Sequence, residues 1–314
     1  MANPREDRLA DARDGMSGPV LVAGASGFVG QRLCPALVNA GFEVRAMTRR
    51  PTEYRGAGEA VGADASDMPS LRAALQHCAT AYYLVHSLSR ADFETKDAAA
   101  AGAFGKAAAD QGVGRIIYLG GLGADHGHLS AHLRSRRQVE TLLARASVPV
   151  TTLRAGIIVG HGGISWEITR QLVEHLPAMV VPRWVWTRTQ PIALADVIRY
   201  LVGVLRVPET AGRVFDIGGP DVLAYVEMLR RVAAVEGRKT LIVPVPLLSP
   251  SLSSLWLSLV TDVDVQTGRS LIDSMTNEVV VCDDSIRRVV PFNPMDFDSA
   301  VLEALGERAR AAHG

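Results

Sequence analysis

From Gly18 onward, short apolar runs alternate with longer segments whose apolar positions recur at helical spacing. Pro19–Ala23, Glu43–Thr48, Ala60–Ala63, Ala81–Val85, Arg115–Leu119 and Val150–Leu153 read as six strands. Between them, Val29–Ala40 reads as a helix ended by Gly41, and Met68–Cys78 as a helix capped by Asp67. Asp92–Gln111, rich in alanine, and Ser130–Ala146 read as two more. This alternation predicts an α/β fold, a doubly wound parallel sheet with helices on both faces. Beyond Gly156 the pattern loosens. Ile164–Leu176, Leu194–Leu205 and Tyr225–Glu236, closed by Gly237, read as helices and Val214–Ile217 as a strand.

The first predicted strand runs straight into Gly24-Ala25-Ser26-Gly27-Phe28-Val29-Gly30, and the loop opens a helix. Glycines there let the backbone approach a pyrophosphate, and the helix N-terminus offers free N–H groups with a positive dipole end. The strand–loop–helix context makes this a Rossmann-type dinucleotide loop, with Gly24, Ser26, Gly27, Phe28, Val29 and Gly30 as cofactor contacts. At the end of the second strand an acid would accept from a free ribose 2′-hydroxyl, whereas arginines pair with a 2′-phosphate. The chain has Thr48-Arg49-Arg50 there and no acid, which favours NADP(H) over NAD(H). Asp64 and Ala65, after the third strand, are placed to meet the adenine edge, though an aspartate in a loop also serves as a turn former or helix cap.

These assignments divide the chain into a tail over residues 1–17, an NADP-binding Rossmann core over 18–156, and a smaller substrate lobe over 157–314 interleaved with the last elements of the core. The 314 residues are 48% hydrophobic and 21% charged, ample for a packed interior. Thirty-three basic residues balance 33 acidic ones, so no global field gathers nucleic acid. Met1–Ser17 contains no apolar signal-peptide core, and Thr240–Thr261 is broken by Pro244, Pro246 and Pro250, which argues against a membrane span. A cytoplasmic location is expected. Cys34, Cys78 and Cys282 lack metal-type spacing and read as buried core thiols. His126 and His128, beside Asp125, have no second ligand cluster in the sequence, so no metal site is expected.

The glycine loop, with Arg115-Ile-Ile-Tyr-Leu-Gly-Gly121, Val150-Thr-Thr-Leu-Arg-Ala-Gly156, Gln190-Pro-Ile-Ala-Leu-Ala-Asp196 and Val214-Phe-Asp-Ile-Gly-Gly-Pro220, resembles the extended and atypical branches of the short-chain dehydrogenase/reductase superfamily. The resemblance covers most of the chain and is similar to epimerase-like and NmrA-like NAD(P)H-binding proteins. It implies a catalytic Ser or Thr after the fifth strand, a Tyr-x-x-x-Lys pair on the next helix and an Asn on the preceding helix. The sequence departs at all of these positions. Gly120 or Gly121 stands at the serine position, His132-x-x-x-Arg136 at the Tyr-x-x-x-Lys position and Asp97 at the Asn position.

Histidine has an unperturbed pKa near ~6.5 and exchanges protons at neutral pH, whereas Arg136 carries a fixed charge for the ribose side. One turn of spacing places them on one helical face, where Arg134, Arg136 and Arg137 also read as a solvated basic face. His132, Arg136 and Asp97 are therefore the candidate catalytic residues. His86, Ser87, Leu119 and Gly120 lie at carboxyl ends of strands, where ligands bind in open sheets, and are expected to contact the cofactor. Tyr118 lies either beside the nicotinamide or in the core, and His161, in Gly160-His-Gly-Gly163, either meets a substrate or is exposed. Pro182-Arg-Trp-Val-Trp186 and Leu252–Val260 supply apolar side chains to a greasy substrate pocket, a membrane-facing lip or plain packing.

The leading expectation is an NADPH-dependent oxidoreductase acting on a small apolar carbonyl or alkene. Its rivals are an NmrA-like cofactor sensor or scaffold without catalysis, and an epimerase-like isomerase with a tightly held cofactor. No nucleic-acid partner is expected.

Overall fold

The computed structural model describes residues 18–87, 92–123, 129–176, 178–181, 183–244 and 265–313. The tail 1–17, Asp125, His126 and His128, Pro182 and the stretch Leu252–Val260 lie outside the described residues.

The centre is a seven-stranded parallel sheet of β1 (Val20–Ala23), β2 (Val44–Thr48), β3 (Glu59–Gly62), β4 (Thr80–Tyr83), β5 (Arg115–Gly121), β6 (Val150–Ala155) and β11 (Val214–Ile217). Their spatial order is β11-β6-β5-β4-β1-β2-β3, and all pair in parallel. The order reverses between β1 and β4, so the loops leaving these strands flank a crevice at their carboxyl ends. The predicted doubly wound sheet is thus present, with one strand more than the six expected before residue 157. Val214–Ile217 pairs with Thr152–Ala155 of β6 and closes that edge.

The inner strands β1, β4 and β5 bury both faces, while the edge strand β3 is largely exposed. Adjacent tyrosines show the period-two alternation: Tyr82 points to one side and donates its hydroxyl to the Leu201 carbonyl at 2.8 Å, while Tyr83 points to the other and packs 4.9 Å from the Phe104 ring. On the Tyr82 side lie α1 (Gly30–Asn39) and α6 (Leu194–Leu205), and on the Tyr83 side α2 (Met68–Leu75), α3 (Phe93–Asp110) and α4 (Ala131–Ala144). The expected caps are observed. Asp67 accepts from the Ser70 amide at 3.0 Å and Ser130 from the Leu133 amide at 3.3 Å. Two segments after residue 157, α6 and β11, therefore pack in the sheet's own core rather than in the second cluster.

That second cluster is built on α5 (Ile164–His175), α7 (Tyr225–Val235) and α10 (Phe297–His313). Three two-stranded pieces accompany it: β7 (Ile158–Val159) with β10 (Ile192–Ala193), β9 (Arg188–Thr189) with β12 (Leu223–Ala224), and β8 (Ala178–Val181) with β13 (Leu241–Pro244). α8 (Val265–Ser274) lies against α4, and the one-turn α9 (Ile286–Val289) against β11. The buried Asp196 of α6 accepts from the Met295 amide at 2.7 Å, which ties the entry to α10 to the sheet core. Of the three cysteines, Cys34 and Cys78 are buried as expected, whereas Cys282 is exposed. It sits in the irregular segment after Val279, where its amide donates to Asp216 at 3.1 Å.

Candidate active site

The glycine loop leaves β1 as a tight turn. Gly24 has φ +88°, a left-handed conformation that suits glycine, and the Gly27 amide closes the turn on the Gly24 carbonyl at 2.9 Å. A side chain at Gly30 would meet the Gly24 carbonyl oxygen at 2.2 Å, so only hydrogen there lets α1 begin directly on the turn. Among the described residues the amides of Ser26, Phe28 and Val29 find no protein acceptor, which leaves them at a helix N-terminus for an anion. Phe28 is turned away and packs against Gly160 and Gly163. The loop also touches Leu84, just beyond β4, so the two loops at the sheet's reversal point are in contact. This is a cradle that a side chain would fill, and it fits a dinucleotide pyrophosphate.

Thr48 ends β2 buried, while Arg49 and Arg50 are exposed at the rim of the crevice. Arg50 makes a solvent-exposed ion pair with Glu53 at 3.2 Å, which leaves its guanidinium available. Asp64 turns back on its own loop, with one carboxyl oxygen accepting from the Ser66 amide at 2.8 Å and the Ser66 hydroxyl at 2.6 Å. These bonds, with a smaller contribution from Arg49, hold its pKa below the usual carboxylate value. Ala65 is half-buried beside it.

The other candidates converge on the far side of the crevice. His86, three residues past β4, places Nδ1 2.7 Å from a carboxyl oxygen of Asp97 on α3. Asp97 is 1% exposed. The His86 ring lies 5.0 Å from that of His132 on the first turn of α4, and Phe93 closes the third side. Four polar atoms here are enclosed without a hydrogen-bond partner among the described residues: Asp97 Oδ1, His86 Nε2, His132 Nδ1 and the Tyr83 hydroxyl. Burial pushes the His86 pKa down against the pull of Asp97. It pushes His132 well below its ordinary value, with the neighbouring His86 and Arg136 adding to the effect. Both rings are therefore neutral at pH 7.

Arg136, one turn along the same face of α4, points inward. Its guanidinium donates to the Leu119 carbonyl and stacks 5.0 Å over the Tyr118 ring. Tyr118 is fully buried and donates to the Arg136 carbonyl at 3.1 Å, which settles its alternatives in favour of the core. Of the three arginines read as a solvated face, Arg134 alone is exposed, while Arg137 is drawn onto the Gly123 carbonyl. Gly121 lets α4 approach, since a side chain there would meet Leu133 and Arg136 at 3.2–3.4 Å. Gly120 is buried in β5, and Ser87 is half-buried just past His86. His161 faces Glu167 at 3.3 Å in the loop before α5, away from this cluster.

A cavity of about 80 Å³ opens at the ends of β5 and β6. His132 forms one wall, and Leu122, Leu133, Ile157, Leu271, Met275 and Val279 supply most of the apolar surface. Its further polar groups, Ser165, Tyr225 and Ser274, carry no motif and are invisible to sequence spacing. No lining residue among those described carries a formal charge at neutral pH. Within the described residues no group of three or more His, Cys, Asp or Glu could hold a metal ion, and no helix is long and apolar enough to cross a membrane.

A family model described as NAD(P)H-binding matches residues 24–184, just over half of the 314 residues. The chain belongs to this NAD(P)H-binding family. Among curated relatives, an uncharacterized protein of Mycobacterium tuberculosis is 28% identical over 235 residues, covering 74% of this chain. The chain spans about a quarter of that relative's length, the match covering 24% of it. Dihydroflavonol 4-reductase of Hordeum vulgare is 38% identical over 96 residues, 27% of this chain and 26% of that protein.

Solved structures of the same fold include the Citrobacter sp. triphenylmethane reductase, with TM-score 0.75, 18% identity and coverage of 92% of this chain and 99% of that one. The Escherichia coli NADPH-dependent quinone oxidoreductase, crystallised with NADPH, gives TM-score 0.75 at 17% identity over 91% of this chain and 99% of that one. A Staphylococcus aureus nucleoside-diphosphate-sugar epimerase gives TM-score 0.75 at 15% identity over 90% and 99%. The fold of the NAD(P)H-binding family thus extends across nearly the whole chain, beyond the matched 24–184.

Proposed function

We propose that the protein is an NADPH-dependent oxidoreductase acting on a small, uncharged, apolar substrate, with His132 exchanging the proton. The observation that carries this reading is the juxtaposition of an enclosed carboxylate–histidine–histidine cluster with an apolar cavity at the end of the sheet where the dinucleotide loop also lies. The bound nicotinamide supplies a hydride, so the protein must supply a dry pocket, a fixed substrate pose and one proton.

The amides of Ser26, Phe28 and Val29 hold the pyrophosphate, and Arg49 and Arg50 the 2′-phosphate. Leu122, Leu133, Met275 and Val279 exclude water from the cavity, and a histidine held neutral meets an uncharged substrate without the cost of an unpaired buried charge. A nucleotide-sugar substrate would bring phosphates that find no cation among the described lining residues. The quinone oxidoreductase that shares the fold fits this chemistry, and the nucleotide-sugar epimerase does not. Arg136, bound inward to Leu119 and Tyr118, holds α4 and hence His132 in place. The domain reading follows: the sheet and its helices bind the dinucleotide, and the α5–α7–α10 cluster with α8 closes the substrate side.

The test is NADPH consumption with a panel of small quinones, aromatic ketones and aldehydes, on wild type and His132→Gln. The reading expects turnover with at least one class and a loss of about 10²–10⁴-fold in His132→Gln with NADPH affinity unchanged. Wild-type turnover that persists in His132→Gln would remove the residue from the chemistry, and NADPH binding without turnover on any class would favour a sensor.

A further inference from the structure

The enclosed nitrogens of the two histidines fix more than their proximity. We propose that His86, tethered by Asp97, is a positioning residue that sets the tautomer of His132, making its Nε2 a proton acceptor and the substrate pair a carbonyl and its alcohol. The inference deepens the reading of His132 as the proton-handling group and rests on it.

Asp97 can only accept, so the 2.7 Å contact places a proton on His86 Nδ1. In a neutral imidazole the other nitrogen is then bare, and His86 Nε2 becomes an enclosed acceptor without a donor among the described residues. The His132 ring lies 5.0 Å away, centroid to centroid, and its Nδ1 is likewise enclosed and without a partner among the described residues; no hydrogen bond joins the two rings as they are placed. Each enclosed, unpartnered nitrogen is costly alone, and a turn of the neighbouring rings that directs one N–H at one lone pair relieves both. With the acceptor already assigned to His86, the donor is His132 Nδ1. His132 Nε2 is then bare. It is not among the enclosed, unpartnered atoms, and the residue lines the cavity.

A bare nitrogen recognises a donor, so the ligand it selects presents an O–H. As an alcohol is oxidised, its hydroxyl proton passes to His132 Nε2 while the Nδ1 proton of His132 moves to His86 Nε2. The positive charge comes to rest on His86 against Asp97, and the C–H electron pair leaves with the hydride to the oxidised dinucleotide. Carbonyl reduction reverses each transfer, with the proton drawn from water through His86. Reduction of a carbon–carbon double bond would need a proton delivered to carbon and offers Nε2 no O–H to accept from.

The test reads the tautomers directly. Full-length protein labelled with ¹⁵N-histidine is examined by ring-nitrogen NMR, with His86→Phe and His86→Gln for assignment and comparison and with NADPH titration as a check on the fold. Expected are Nδ1–H forms for both rings in the wild type and conversion of His132 to Nε2–H in His86→Phe, which fills the ring's space without an acceptor. In His86→Gln an amide oxygen replaces the acceptor, and the wild-type His132 form returns. A wild-type His132 protonated on Nε2, or one whose tautomer is the same in His86→Phe, overturns the proposal whatever the activity. On a substrate carbonyl, kcat is expected to fall about 10²-fold in His86→Phe with KM unchanged and to recover in part in His86→Gln. Correct tautomers with no activity on any substrate would leave the relay standing and instead sink the enzymatic reading on which it rests.

Discussion

Gly30 is where the phosphate loop is most exposed to a single atom. A Cβ there lies 2.2 Å from the Gly24 carbonyl oxygen, 2.7 Å from Ala25 Cα and 2.9 Å from the Ala25 carbonyl carbon. All three are backbone atoms, so Gly30→Ala can be relieved only by lifting the loop from β1 or tilting α1. Two effects oppose each other. Alanine is the better helix former by ~1 kcal/mol, and overpacking a filled site costs ~1–3 kcal/mol. With contacts this short the upper end of the cost applies, leaving a net loss of about 1–2 kcal/mol. The same displacement shifts the amides proposed to hold pyrophosphate, so NADPH affinity should fall at least ~10-fold. Gly102→Ala in α3 is the internal control: nothing lies within 4 Å of the added carbon, so helix propensity acts alone and stabilises by ~0.5–1 kcal/mol. Urea denaturation and calorimetric NADPH titration measure both effects. If Gly30→Ala matched the wild type in midpoint and affinity while Gly102→Ala behaved as expected, the idea of a loop seated on the helix start by a missing side chain would be refuted.

Replacing Arg49 and Arg50 together by alanine should erase a preference for NADPH over NADH, with ~1.5–3 kcal/mol lost for each charge-assisted contact to the 2′-phosphate and NADH binding little changed. Calorimetry with all four dinucleotides checks it, and an undiminished NADPH preference would move the 2′-phosphate elsewhere. Stability should fall as pH drops below ~6.5, because His86 and His132 titrate near that value when unfolded but lower when folded, so the unfolded chain takes up protons first. The slope should reach at most ~1.4 kcal/mol per pH unit per histidine, and urea midpoints at pH 5.5 and 7.5 should converge partly in His132→Gln. An unchanged pH slope in that variant would place the titration elsewhere.

How much was legible in the sequence follows the range of the interactions involved. The first six strands and their helices were visible because each announces itself within a dozen residues: Asp67 and Ser130 cap the helices they precede, and the glycine loop sits between a strand and a helix that periodicity alone identifies. β5 runs two residues past its predicted end because Gly120 and Gly121 pair with Arg154 and Ala155, a fact of register that no property of two glycines foretells. Val214–Ile217 was recognised as a strand, but its place as the seventh depends on pairing with residues about sixty positions earlier. Cys282 was misjudged for a related reason: composition suggests burial for a thiol, whereas exposure is decided by what packs over it.

The candidate site divides along the same line. His132 and Arg136 were readable together because a helix fixes what four residues of spacing mean, yet Arg136 was expected to face the ribose and its guanidinium is on Leu119 and Tyr118. His86 and Asp97 were each singled out, but for separate roles, and only the close approach of the β4 loop to α3 joins them. Missing tyrosine and lysine looked like missing chemistry because a motif is read position by position. What the fold brings together is His132, which lines the cavity, and His86, held by the buried Asp97 in the enclosed space beside it, where an unpaired cation would be costly. On the proposed reading, His132 at the tyrosine position and His86 beyond β4 act together, and His86 is the less visible half.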